Sequence, residues 1–103
     1  MSITEVVYIG RDNTNDLLLK ADGEAVDLSS ATRMVLIERN GVFTIDSDES
    51  ASAFDWDTDT TGKVLLTLGH EDVAAGAYVC DLIVYDPTNT NGVNWGRLVL
   101  KFQ

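Results

Sequence analysis

Three aspartates at alternate positions, Asp55, Asp57 and Asp59 in "FDWDTDTTGK" (54–63), form the most chemistry-like pattern in the chain. Carboxylates are hard oxygen ligands suited to calcium, and Asp46, Asp48 and Glu49 stand near enough in sequence to approach from the preceding loop. The EF-hand spacing fails: with Asp55 in the first position, Thr60 falls where the turn glycine belongs and Leu66 where the bidentate glutamate belongs. In an extended strand, residues two apart share a face about 6.6 Å from each other, too far for three carboxylates to reach one ion without a bend. Phe54 and Trp56 alternate with the acids, so a strand with one packed side and one acidic side explains the pattern unaided. No cofactor is expected, and what remains of the metal reading is a single cation near Asp57, Asp59 and Thr61.

Nucleophilic catalysis needs a base within reach of a serine or cysteine, and the chain has one histidine and one cysteine. Cys80 sits inside an apolar run, where a thiol packs as a small hydrophobe. His70 precedes Glu71 and Asp72 and reads as a solvated loop residue. No nucleophile elbow, phosphate-cradling glycine loop or dinucleotide fingerprint occurs, and a chain this short leaves little to build a deep cleft. A non-enzyme is expected. Exposed aromatics offer another chemistry, since carbohydrate-binding modules use Trp and Tyr as platforms on β-sandwiches. Trp95, in "GVNWG", either anchors its loop or faces a partner.

Seventeen acidic against seven basic residues give a formal charge of −10, which repels nucleic acid and anionic lipid surfaces and favours solubility. The start "MSITEVVYIG" lacks the basic-then-apolar build of a signal peptide, and no apolar run approaches a membrane span. A lone cysteine precludes an internal disulfide and is compatible with a reducing compartment. The 103 residues, 45% of them apolar, suit a single domain, 1–103, with one core.

Short apolar runs divided by turn chemistry predict an all-β fold. Strands are expected over 4–10, 15–21, 24–28, 33–39, 42–46, 62–69, 77–86 and 97–103. Asp22-Gly23 and Asn40-Gly41 read as tight hairpin turns, the second of type I′. "HEDVAAG" (70–76) reads as one helical turn with acids at its start and Gly76 at its stop. In 77–86, Tyr78, Cys80, Leu82 and Val84 form the cleaner core face; in 97–103, Leu98, Leu100 and Phe102 point inward. "PTNTNGVNWG" (87–96) reads as a ten-residue loop. The expected architecture is an antiparallel immunoglobulin-like β-sandwich of seven to eight short strands with one short helical turn.

The stretches "GRDNTNDLLLKADGEAVDLSSATRMVLIERNG" and "TTGKVLLTLGHEDVAAGAYVCDLIVYDPTNTNGVNWG" resemble small immunoglobulin-like proteins and domains of tailed bacteriophages and prophages. These are related in plan to the N-terminal domains of baseplate upper and tail-fibre proteins. The shared features are a "DLS-x-AT" corner, a "GKV-x-L-x-L" strand, an "ED-x-x-AG-x-Y" link and a "YD…NG…WG" hairpin, and the likeness spans 6–103. It implies a non-catalytic virion or assembly component that contacts other phage structural proteins. Such a part would be made in the bacterial cytoplasm, carried into the virion and repeated as a homo-oligomer. Baseplate proteins of this kind continue into a second region, so a module of this length is expected to act through its own surface. Asn91, Val93, Asn94 and Trp95 are the expected contact residues, a central aromatic ringed by polar groups. The alternative class is a small carbohydrate- or calcium-binding sandwich.

Overall fold

A computed structural model describes residues 2–56 and 62–103. Alternation of side chains along extended backbone builds two facing sheets. The larger is ordered β1 (Ser2–Val7), β10 (Val93–Phe102), β9 (Gly76–Tyr85), β5 (Arg33–Glu38) and β6 (Thr44–Asp46). The smaller is ordered β2 (Asn15–Leu18), β8 (Lys63–Leu66) and β7 (Phe54–Trp56), and β3 (Lys20–Ala21) with β4 (Glu24–Ala25) makes a separate hairpin. The order β6-β5-β9-β10 over β2-β8-β7 matches the C′-C-F-G and B-E-D sheets of a variable-type immunoglobulin domain. The fold is the expected all-β sandwich.

Period-two patterning supplies the core. Cys80, Leu82 and Val84 of β9 and Leu98, Leu100 and Phe102 of β10 are buried in one cluster with Leu17, Phe54, Val64 and Leu66 of the smaller sheet. Phe54 is buried, Trp56 is partly buried against the same cluster, and Asp55 is exposed, as the alternation requires. Burial pushes the Cys80 thiol up to about 12, with the Glu38 and Asp81 charges adding to the effect. It therefore carries no thiolate chemistry near neutral pH.

Four local expectations differ from the structure. The run 15–21 divides into β2 and β3 because Leu19 leaves the ladder. Its N–H donates to the Gly62 carbonyl and its carbonyl accepts the Val26 N–H. The first strand lies parallel to the last, Ser2 opposite Arg97 through Val7 opposite Phe102, while the other pairs described are antiparallel. The hairpin at Asn40-Gly41 forms, but only Gly41 has positive φ (79°). The turn runs from Glu38 to Gly41, whose N–H donates to the Glu38 carbonyl, and is not type I′. Buried Glu38 fixes this shape by accepting the Asn40 N–H on its carboxylate.

The fourth difference concerns the helical turn. Residues 70–75 form turns and bends, and the single helical turn among the described residues is instead a short 3-10 segment at Ala51–Ala53. The N–H groups of this segment turn back over shorter spans, Glu71 donating to the Leu68 carbonyl and Val73 to the Glu71 carbonyl, and Tyr78 Oη donates to the Ala74 carbonyl at 2.8 Å. Tyr78 lies near the start of β9 and two residues before Cys80, which makes this the tyrosine corner of immunoglobulin-like sandwiches. Tyr78→Phe keeps the ring and removes the bond. It is expected to cost about 1 kcal/mol in urea unfolding, with no change in the slope of the transition.

Candidate functional site

The end of the sandwich where β9 passes into β10 carries exposed polar side chains on a hydrogen-bonded connection. Asp86 organises the connection: its carboxylate accepts the N–H groups of Thr88 (2.9 Å) and Asn89 (2.7 Å) and the Asn89 side-chain amide. These bonds, Asn89's foremost, hold the Asp86 carboxyl below the usual carboxylate range. The Asn89 carbonyl then accepts the Gly92 N–H at 3.1 Å. Gly92, at φ 81°, lies so close to Ile83 and the Tyr85 ring that a Cβ there would stand 2.4 and 2.9 Å from them.

The loop is shorter than the expected ten residues, because β10 begins at Val93, opposite Val84, with Asn94 opposite Ile83. A bulge follows between Asn94 and Gly96. The Gly96 N–H stabilises it by donating to Asn94 Oδ1 at 2.9 Å. Gly96 also has a φ of 129°, which an L side chain rarely adopts. It therefore marks a kink inside a strand and not the end of a loop. Of the four expected contact residues, Asn91 and Asn94 are exposed, Val93 is half-buried, and Trp95 packs its indole against the core. Trp95 borders a small crevice of about 50 Å³ with Ile3, Leu17, Leu19, Leu82 and Leu98, at the seam between β1 and β2. The structure thus brings the four together at one hairpin end and gives the tryptophan an anchoring contact.

Beside this hairpin lies an open groove of about 400 Å³, lined by Thr32, Arg33, Asp48, Tyr85, Asp86, Pro87 and Thr90. Arg33 dominates it. The guanidinium forms a two-pronged pair with Asp46. Its Nε approaches Asp48 Oδ2 at 3.4 Å, and its Cζ stacks 4.8 Å from the Tyr85 ring centre, a cation–π arrangement. The bond from Arg33 holds the Asp46 carboxyl below the usual range, against a smaller opposing effect of burial. Asp46 raises the Arg33 pKa in turn.

No protein-family model matches the chain, and no curated protein matches it.

Arg33 is engaged on two sides and Tyr85 is covered by Arg33 and Gly92, so the groove is a polar surface whose strongest groups already have partners. Sequence reading missed the Arg33–Asp46 pair, although the hairpin register that sets Val35 opposite Asp46 places Arg33 diagonally beside it. Asp46, expected to approach the Asp55 region, instead belongs to the other sheet and is committed to Arg33. Asp57, Asp59 and Thr61 lie outside the described residues. Among the described residues no three His, Cys, Asp or Glu side chains are grouped for a metal. His70 contacts Asp12, linking the turn after β8 to the loop after β1.

The Arg33–Asp46 pair has a measurable consequence. A carboxyl whose folded pKa is depressed contributes stability that is fully present above its unfolded value and is lost as pH falls through the folded one. Asp46 therefore adds to the acid lability of the fold below the ordinary 3.8. Urea midpoints at pH 6 and pH 3 are expected to differ less in Asp46→Asn than in the wild type, and an equal difference would remove Asp46 from this role.

Proposed function

We propose that the chain is a non-catalytic structural or assembly module of a phage or prophage particle, associated with the tail, baseplate or a fibre and acting through protein-protein contacts. The observation that carries this reading is how the reactive side chains are used. Arg33 is held by Asp46, Asp86 by its own loop, His70 by Asp12, and Cys80 is buried in the core. Among the described residues, the surface open to a partner includes the hairpin end with Asn91 and Asn94, the outer faces of two sheets and the exposed apolar loop residues Tyr8, Ile9 and Val42. A rigid scaffold with exposed loop tips is how binding surfaces are commonly presented. The likeness to phage immunoglobulin-like modules supplies the particle as the setting.

Purified particles from a bacterium carrying the gene are expected to contain the chain in symmetric copy number by quantitative mass spectrometry. Absence from both particles and assembly intermediates would overturn the reading. Within that assay, Asn91→Arg with Asn94→Arg should reduce incorporation while leaving the melting temperature unchanged. Millimolar calcium is expected to leave melting unchanged as well; stabilisation by the ion would favour the ligand-binding alternative.

A further inference from the structure

One strand of the larger sheet and one cross-strand row of the smaller sheet carry opposite charge in matching patterns on their outer faces. On the larger sheet, inward Leu98, Leu100 and Phe102 leave Arg97, Val99 and Lys101 on the outside of β10. The two cations are exposed and Val99 is half-buried between them. Neither cation has an ion pair among the described residues; Asp81, opposite Arg97 on β9, is paired with Arg39. On the smaller sheet, one cross-strand row reads Asp16, Leu65, Asp55, with both acids exposed and the leucine half-buried. Leu18, 53% exposed, lies on the same side, opposite Lys63.

Cation, apolar, cation spans about 13 Å along a strand, and anion, apolar, anion spans about 10 Å across three strands. The mismatch of a few ångströms is within the reach of Arg and Lys stems. We propose that a second copy of this chain docks here head to tail, its Asp16–Leu65–Asp55 row seated on the Arg97–Val99–Lys101 stripe of the first.

Charge selects this occupant and geometry. Two stripes face to face would oppose four cations, and two acidic rows would set four carboxylates against two Lys63 ammonium groups, so the pairing of unlike stripes carries the most favourable charge match. Because the two patches sit on opposite sheets, the contact does not close on itself and propagates into a stack. The net charge of −10 opposes stacking at long range, but it is screened beyond about 8 Å at physiological salt, leaving the local pairs in force. Stacking would hold in any setting, so it stands apart from the phage reading.

Sedimentation velocity from micromolar to millimolar protein at physiological salt provides the test. Wild type is expected to form species growing beyond a dimer of 11.2 kDa chains. R97E/K101E and D16K/D55K are each expected to weaken association at least tenfold while melting as the wild type does, since each reversal sets like charges against each other. An equimolar mixture of the two doubles is expected to restore association beyond a dimer. In the mixture every reversed face meets a face of unlike charge: native row on native stripe, and lysine row on glutamate stripe. A wild type that stays monomeric throughout would overturn the proposal, as would a D16K/D55K variant that associates undiminished or a mixture that stays monomeric. A monomeric result leaves the particle-incorporation assay to decide the phage reading separately.

Discussion

Phe102→Ala is expected to lower the free energy of unfolding by about 3–5 kcal/mol, the range for deleting a buried aromatic ring. Phe102 is only 2% exposed and stands at the end of β10 between Val7 of β1 and Gly76 of β9. It also completes a ring cluster in which Phe43, Tyr78 and Phe102 meet edge to face, with centroids 5.2, 5.9 and 5.7 Å apart. Such pairs add about 0.5–1.5 kcal/mol beyond area burial, so truncation removes packing from two further aromatics as well as its own surface. A domain of this size holds about 5–15 kcal/mol in total, so the variant should be partly unfolded well below the wild-type midpoint. Urea unfolding followed by tryptophan fluorescence reads the change. Phe102→Leu, which keeps most of the volume, should recover more than half of it; equal losses in both variants would show that the aromatic arrangement, and not volume, sets the cost.

Strict alternation made β9, the part of β10 from Arg97 onward and the Phe54–Trp56 strand legible in advance, because period two with one buried face leaves a single register. Asp22-Gly23 was equally readable: its φ values of 53° and 81° are what an Asp-Gly hairpin turn demands. Features set by distant partners were not. An acidic start and a terminal glycine signal a helix at 70–76 locally, but the segment is claimed by Tyr78 and by the loop after β1. The parallel placement of β1 has no local signature, and neither has the commitment of Asp46 to Arg33. Gly96 misled in the opposite direction, since a glycine beside Trp95 imitates a turn while serving a bulge. The tyrosine corner did leave a trace, the Tyr78-x-Cys80 spacing after Ala74, which the missing second cysteine obscured. At the candidate site residues 91–95 stood out by composition, whereas the neighbouring groove depends on chain returning from β5 and the loop after β6.

Gly69→Ala is expected to destabilise the fold by about 3 kcal/mol, at the upper end for a single added methyl, because the obstacle is backbone. Gly69 lies in the turn after β8, where its carbonyl accepts the Gly10 N–H at 2.7 Å. A Cβ at this position would stand 2.2 Å from the Arg11 carbonyl oxygen and 2.6 Å from that of Tyr8. Neither can swing aside as a side chain would: Tyr8's carbonyl already accepts the Arg11 N–H, and the segment is tethered to the end of β10 by the Ile9 N–H donating to the Gln103 carbonyl. Relief would require the turn to part from the loop after β1, breaking the Gly10 bond and separating His70 from Asp12. Gly10→Ala provides the contrast. Its φ is 77°, and nothing lies within 4 Å of the added carbon. The left-handed backbone alone then costs about 1–2 kcal/mol. The two substitutions place the same methyl on opposite sides of one hydrogen bond, so a thermal midpoint for Gly69→Ala well below that of Gly10→Ala would establish close backbone approach as the reason for glycine at 69. Equal midpoints would show that the turn yields and that the contact between these loops adds little to the fold.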